Sequence, residues 1–155
     1  MEIHRLNRQD LIRTLIVGLV VAIGTAAAML ILLRAGLSPL PKPLGLAFAQ
    51  RLLGEVPLPV GLLFHTVWVI AFSGVYVALF RDDLTFRRAL WLAAGLWMLV
   101  LILFFPVVGW GFLGLAVSPR LIVAAAVAHL LFAVLLWGGC RIAFRDTAAT
   151  SAASR

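Results

Sequence analysis

Four long runs of apolar residues dominate the pattern along the chain, at 14–33, 60–80, 89–108 and 121–140, and none contains an Asp, Glu, Lys or Arg. A helix needs about 20 apolar residues to cross the hydrocarbon layer of a membrane. The runs lack the strict alternation of apolar and polar positions that a strand in a barrel wall shows. Because a spanning segment must satisfy its own backbone hydrogen bonds, each run predicts a helix. The pattern therefore predicts an all-α fold, a four-helix transmembrane bundle.

The connection between the first two runs has prolines at 39–43 and again at 57–59, on either side of a stretch at 44–53. Because prolines stop helices on both flanks, this stretch predicts a short interfacial amphipathic helix on the outer surface. Such a helix would be either a lid on the end of the bundle or a docking surface for a partner. We expect one transmembrane domain over 1–146, and a disordered tail over 147–155 because that segment has no periodicity.

The composition supports a membrane protein. Of the 155 residues, 64% are apolar and only 12% are charged, and the mean hydropathy is +1.12. Soluble domains are nearer half apolar and a quarter charged, so this chain has more apolar surface than a water-facing exterior can cover. Four spans use up most of the length, which excludes a separate soluble catalytic domain.

The basic residues lie at the ends of the apolar runs, not on one soluble face, which argues against nucleic-acid binding. One side of the predicted bundle holds Arg5, Arg8, Arg13, Arg81, Arg87, Arg88, Arg141, Arg145 and Arg155. The other side holds Arg34, Lys42, Arg51 and Arg120. The positive-inside rule then predicts a multi-pass membrane protein with both termini cytoplasmic. The bases are expected to contact anionic lipid headgroups.

The sequence also predicts an internal repeat. A shift of 64 residues places 65–74 over 129–138, so that His65 coincides with His129 and Gly74 with Gly138. The triplet Phe-Arg-Asp at 80–82 coincides in the same register with the one at 144–146. Two helical hairpins of the same orientation would be parallel repeats, related by an axis along the membrane normal. Equivalent residues would then lie at equal depth.

His65 and His129 are the candidate site residues, because a polar group inside a span is costly and should face the bundle with a partner. At about 1.5 Å per residue, both lie in the outer half of the bilayer. Trp68 and Phe72 share the helical face of His65, and Phe132 shares that of His129. Residues three or four apart are neighbours on a helix, so these aromatic rings are placed to flank a flat ligand. The ligand-binding prediction therefore comprises these five residues.

Three interpretations of the two histidines stay open. The first is structural, since a buried His is commonly bonded to a carbonyl or a water. The second is haem b held between the second and fourth spans, with His65 and His129 as axial metal ligands. The third is contact with a metal or another small molecule. Haem propionates would need a nearby Arg or Lys, and bases are few on that side of the predicted bundle.

The segment 109–114 matches the text pattern G-x-G-x-x-G. A dinucleotide fingerprint requires a strand before it and a helix after it in a soluble unit, whereas this segment joins two membrane spans. We instead expect a tight outer turn made possible by Gly109, Gly111 and Gly114, with Trp110 anchored at the membrane interface.

The spans contain no charged residue, which argues against an ion-coupled transporter, and the chain contains no recognisable catalytic set. The sequence therefore favours a non-enzymatic integral membrane protein and no catalytic residues. It would be an accessory or scaffold subunit, with other membrane subunits or a homo-oligomer as partners, or a binder of an apolar ligand between the repeats. The alternative is a b-type haem electron-transfer protein. A facilitator for an uncharged solute would need a continuous polar path, which the pattern does not show.

The two hairpins, the His-x-x-aromatic element of the second and fourth spans, and the turn at 106–114 together resemble small uncharacterised bacterial inner-membrane proteins of the YagU-like family. The resemblance covers about residues 11–145 and implies a four-helix inner-membrane protein with no assigned reaction. His65 and His129 are the positions that match its recurring His element.

Overall fold

A computed structural model describes residues 6–145, and every regular element in that range is helical. The helices are α1 (Arg8–Arg34), α2 (Leu44–Leu53), α3 (Leu58–Phe80), α4 (Phe86–Val107) and α5 (Arg120–Ala143). The predicted tail at 147–155 lies outside the described residues.

Helices α1, α3, α4 and α5 are each long and apolar enough to cross a membrane. The prediction of an all-α fold with four candidate spans is confirmed, and the chain is a multi-pass integral membrane protein. Successive spans alternate in direction, so α1 begins on the side where α5 ends. We call this the terminal side, and the side that carries α2 and the 108–119 connection the loop side.

Local sequence signals set several helix ends. Asn7 caps α1, because its side-chain oxygen accepts a hydrogen bond of 2.8 Å from the Asp10 backbone N–H. After α1 the chain turns at Gly36, with a φ of 68°, and the N–H of Leu37 donates to the Leu32 carbonyl at 2.9 Å. Helices commonly end with a glycine in the left-handed conformation and a hydrogen bond from the following N–H to the carbonyl five residues earlier. Pro57 directly precedes α3. Proline has no backbone N–H, and this costs nothing there because the first N–H groups of a helix have no partner within the helix.

Small residues bring α1 close to two neighbours. A methyl group added at Gly18 would lie 3.0 Å from the Cα of Ile70 in α3, and one added at Gly139 in α5 would lie 3.0 Å from a methyl of Val17. Gly24 approaches Leu135 of α5 equally closely. Apolar lipid provides no hydrophobic drive for helix association, so close packing through small residues is the usual substitute.

Helix α2 has the predicted bounds and packs on the first turns of α3. A Cβ at Gly61 would lie 2.5 Å from the Cα of Leu46, so only glycine allows this approach. Ala49 of α2 is fully buried, whereas Leu52 and Leu53 are exposed. Helix α2 therefore covers the loop-side end of α3, and its position at the membrane surface stays a prediction.

Helix α4 changes its winding near its end, where Val100–Phe104 form a π-helical turn. The N–H of Phe105 bonds to the carbonyl of Val100, five residues back. Pro106 follows, and because it has no N–H it cannot continue the α-helical hydrogen bonds. The wider turn rotates Phe104 and Phe105 into the bundle, where both are buried.

An ion pair joins helix ends on the terminal side. Arg81, which follows α3, lies 3.0 Å from the Asp10 carboxylate at the start of α1, and both side chains are largely buried. The Arg81 guanidinium also lies over the ring of Phe144, 4.6 Å from its centroid, just after α5. One cation therefore links the terminal-side ends of α1, α3 and α5.

The loop after α4 requires its glycines, as predicted. Gly109, Gly111 and Gly114 have φ values of 83°, 77° and 79°, in the region that favours glycine. Trp110 is only 6% exposed and its ring packs 5.3 Å from that of Phe105. The ring therefore packs against the protein, and its place at the membrane interface stays a prediction.

Gly114→Ala is expected to destabilise the protein by about 2–5 kcal/mol, since the new methyl would meet the ring of Phe105 and the backbone is left-handed. Gly36→Ala is the matched control, because it has a similar φ but no atom within 4 Å, and we expect a loss of only about 1 kcal/mol. Thermal unfolding in detergent, followed by circular dichroism, measures both. Equal losses would contradict the close packing at Gly114.

Asp10→Asn is expected to cost about 1–3 kcal/mol, because it removes the charged partner of a largely buried arginine. Asp83→Asn is the control: its ion pair with Arg88, at 3.2 Å, is about half exposed, so its loss should cost less than about 1 kcal/mol. The same unfolding measurement compares the two. A larger effect at Asp83 would show that the Arg81 contact does not hold the helix ends together.

Candidate functional site

A cavity of about 400 Å³ lies between the helices on the loop side. All five helices contribute to its wall. Its lining includes small, aliphatic, aromatic and a few polar side chains, among them Thr25, Ala28, Leu32, Leu37, Ser38, Phe48, His65, Trp68, Phe72, Val100, Phe104, Ala124, Ala125, Val127, Ala128, His129 and Phe132. The closest helix contacts, at Gly18 and Gly139, lie towards the terminal side, whereas residues of α2 and large aromatic side chains line the cavity.

The five residues of the ligand-binding prediction all line this one cavity. His65, Trp68 and Phe72 reach it from α3, and His129 and Phe132 reach it from α5. The structure therefore brings together residues that are distant along the chain. Whether they bind a ligand remains a prediction.

Aromatic rings form one wall of the cavity. Trp68 and Phe72 are stacked, with ring centroids 5.4 Å apart and planes 9° apart. The edge of Phe104 meets Trp68 at 5.2 Å, and Phe48 of α2 continues the row 5.0 Å from Phe104. Because Trp68 and Phe72 stack directly on each other, a flat ligand would lie against this wall and not between the two rings.

His129 is held by its own helix. Its Nδ1 lies 2.7 Å from the carbonyl oxygen of Ala125, one turn earlier. A carbonyl only accepts, so Nδ1 carries the hydrogen and donates it. This bond orients the ring and leaves Nε2 as the second nitrogen of the side chain. Among the described residues, Nε2 has no hydrogen-bond partner.

His65 is held by a neighbouring helix. Its Nε2 lies 3.0 Å from the hydroxyl oxygen of Thr25 in α1. That hydroxyl also lies 2.8 Å from the carbonyl oxygen of Val21, to which it donates. The Ala22 carbonyl is a further hydrogen-bonding group beside the ring. The contact therefore fixes His65 against α1 and ties two spans together by a polar interaction within the membrane.

The cavity opens between α1 and α5. Leu32, Leu37 and Val127 line it and yet are 40%, 73% and 55% exposed. These residues come from the end of α1, the segment after it, and the second turn of α5. This opening, which we call the lateral opening, lies beside the loop-side ends of α1 and α5, next to the depression that contains Arg120.

The charge of the lining bears on the haem hypothesis. Among the described residues, no Asp, Glu, Lys or Arg lines the cavity. Arg120 lies in a separate depression that shares Leu37, Ser38 and Ala124 with the cavity, so a base is near its mouth. The Nδ1–H bond of His129 is the kind that orients metal-ligating histidines. His65, in contrast, uses its Nε2 on Thr25 and would have to give up that bond to offer Nε2 to iron.

The repeat hypothesis places the two histidines in equivalent positions. Both line the same cavity, but His65 bonds to another helix and His129 bonds to its own. Their environments therefore differ in detail, and the parallel repeat stays a prediction.

Sequence reasoning missed several residues of the site. Thr25 is the partner of His65, and its only signal was a hydroxyl in an otherwise apolar run. Phe104 enters the wall through the π-helical turn before Pro106, and Phe48 enters it from α2. Contacts between helices carry no pattern within either helix, so the linear sequence could not indicate them.

No protein-family model matches the chain, and no curated protein or solved structure shows a match to it. The resemblance to YagU-like proteins remains a prediction.

Thr25→Val is expected to destabilise the protein by about 1–3 kcal/mol, because it keeps the shape of the side chain but leaves Nε2 of His65 without its partner. Thr66→Val is the control, since that hydroxyl bonds only to the Leu62 carbonyl of its own helix. We expect a change of about 0.5 kcal/mol or less there. In a His65→Phe background, Thr25→Val should lose most of its effect. An undiminished loss, measured by thermal unfolding, would contradict the coupling of the two side chains.

Proposed function

We propose that this integral membrane protein is a non-enzymatic binder that takes up an apolar molecule from the bilayer into the cavity on the loop side. The observation that carries the proposal is the cavity itself, about 400 Å³ in volume. Small-molecule sites are typically concave and mostly apolar, with a few polar groups that fix orientation. This cavity has that composition, with His65 and His129 as the orienting groups.

The lateral opening supports uptake from lipid. A molecule dissolved in the bilayer would enter the cavity between Leu32 and Val127, both of which belong to apolar candidate spans. A water-soluble ligand would instead need a polar entrance at the end of the bundle, where α2 packs across the first turns of α3.

The lining supports binding over catalysis or ion-coupled transport. Coupling-ion sites in membranes are usually built with charged side chains, and none of the described lining residues is an Asp, Glu, Lys or Arg. A role as an accessory or scaffold subunit fits the same fold. However, Gly18, Gly24 and Gly139 are already used for packing within the chain, so this small-residue surface is not free for another subunit.

The excess of bases on the terminal side supports placing both chain ends in the cytoplasm of a bacterial inner membrane. The opening of the cavity would then lie in the outer leaflet. The exposed arginines of the terminal side would contact anionic headgroups.

Haem b is the second candidate ligand, favoured by one observation: His65 and His129 line the same cavity. An absorption spectrum of protein expressed with haem precursor, taken before and after dithionite, tests it. A reduced α-band that disappears in both His65→Ala and His129→Ala would support an electron carrier. A band that survives either change would exclude these axial ligands.

Filling the cavity tests the binding proposal. Naphthalene serves as the probe, because it is flat, apolar and small enough for the aromatic wall. Ala28→Phe places a ring in the cavity, whereas Ala27→Phe adds the same ring at an exposed neighbour that does not line it. A ligand that binds only the folded state raises its thermal stability. We expect a naphthalene-dependent rise in unfolding temperature for the unaltered protein and for Ala27→Phe, with affinity reduced by about tenfold or more for Ala28→Phe.

The two phenylalanine variants experience the same detergent and the same free probe, so partitioning of naphthalene into micelles cancels in the comparison. Equal temperature shifts for both variants would mean that the probe acts elsewhere on the apolar surface. No shift in any of the three proteins would overturn the proposal for flat apolar molecules.

A further inference from the structure

The hydrogen on the ring of His129 can be assigned from its surroundings. Nδ1 donates to the Ala125 carbonyl at 2.7 Å. A second ring proton would make a cation, and a cation in an apolar cavity without a carboxylate among the described lining residues is costly. The ring is therefore neutral, and a neutral imidazole with its hydrogen on Nδ1 has a lone pair on Nε2. His129 presents a hydrogen-bond acceptor.

The same reasoning applies to His65. The Thr25 hydroxyl has one hydrogen, which it gives to the Val21 carbonyl at 2.8 Å. Its oxygen must then accept from His65, so the hydrogen of this ring is on Nε2, 3.0 Å away. The lone pair of the neutral ring is then on Nδ1. His65 therefore presents a second acceptor.

The cavity thus offers two imidazole acceptors to a bound molecule. The donors in its described lining are the indole N–H of Trp68 and the hydroxyl of Ser38. An ether or a hydrocarbon would leave both imidazole acceptors without a hydrogen bond, and unpaired buried polar groups reduce affinity. A hydroxyl group can donate to an imidazole and still accept from the indole.

We propose that the ligand of this cavity is an apolar molecule that carries a hydroxyl group, of the phenol class, whose O–H donates to the free ring nitrogen of His129 or His65. The inference rests on the proposed function, because it specifies the ligand of the same cavity. The aromatic side chains of Trp68, Phe72 and Phe104 in the lining favour an aromatic ring as the carrier of the hydroxyl.

Two probes that differ in one donor hydrogen test the proposal: 2-naphthol and 2-methoxynaphthalene. Their dissociation constants come from the rise in unfolding temperature with probe concentration, with free probe measured in the aqueous phase. We expect 2-naphthol to bind the unaltered protein about 3- to 10-fold more tightly than the methyl ether, the range of one net hydrogen bond. This comparison needs no variant.

His129→Phe shows whether a histidine is the source of the preference. This change removes one hydrogen-bond acceptor, so the preference for 2-naphthol over the methyl ether should decrease to the part that His65 provides. In the double variant with His65→Phe, the two probes should bind with nearly equal affinity. Because each ratio is taken within one protein, a general loss of affinity or stability does not affect it.

The outcomes separate the inference from the proposed function. If both probes bind equally and Ala28→Phe weakens both, the cavity binds apolar molecules but the hydroxyl inference is wrong. Tighter binding of the ether, or a preference for 2-naphthol that survives loss of both histidines, also overturns the inference. If neither probe binds, both the hydroxyl inference and the proposed function are wrong.

Discussion

Helix α1 approaches α3 and α5 so closely on the terminal side that a methyl group added at Gly18 or Gly139 would touch a neighbouring helix. In lipid, where burial of apolar surface between helices brings no gain, such contacts provide much of the attraction that assembles the bundle. Towards the loop side this close contact ends. Large aromatic residues and α2, which packs on α3, line the cavity on that side. The closest helix contacts and the cavity therefore lie at different levels of the bundle.

Two polar interactions between helices in the described part of the chain differ in kind. On the terminal side, the pair of Asp10 and Arg81 holds helix ends together where water and headgroups are near. Within the spans, Thr25 and His65 make a neutral hydrogen bond between helices. The charged pair lies at the helix ends and the neutral pair within the spans because a charged side chain is costly in hydrocarbon. Neutral imidazoles and hydroxyls are less costly there. Because charged side chains are costly within the spans, the cavity would recognise a ligand by hydrogen bonds and by shape.

The π-helical turn Val100–Phe104 connects a backbone requirement to the site. Pro106 cannot donate a backbone hydrogen bond, and the turn before it widens. The widening directs Phe104 toward Trp68 and allows Phe105 to pack against Trp110 in the following loop. A local property of one proline therefore shapes both the cavity wall and the fold of the connection to α5.

The sequence by itself determined the class of fold and the number of spans, because uncharged apolar runs of this length have one stable conformation in lipid. It also indicated His65 and His129, since a polar residue in such a run stands out, and the need for Gly109, Gly111 and Gly114 in the turn. Only the tertiary structure decided that both histidines line one cavity and that Trp110 packs inward. The same holds for the Thr25 partner of His65 and for the lateral opening. Apolar residues lie on nearly all sides of these helices, so the sequence does not mark which faces meet. The faces that meet depend on the shapes of the side chains and on the rotation of each helix, and both are fixed only when the spans pack together.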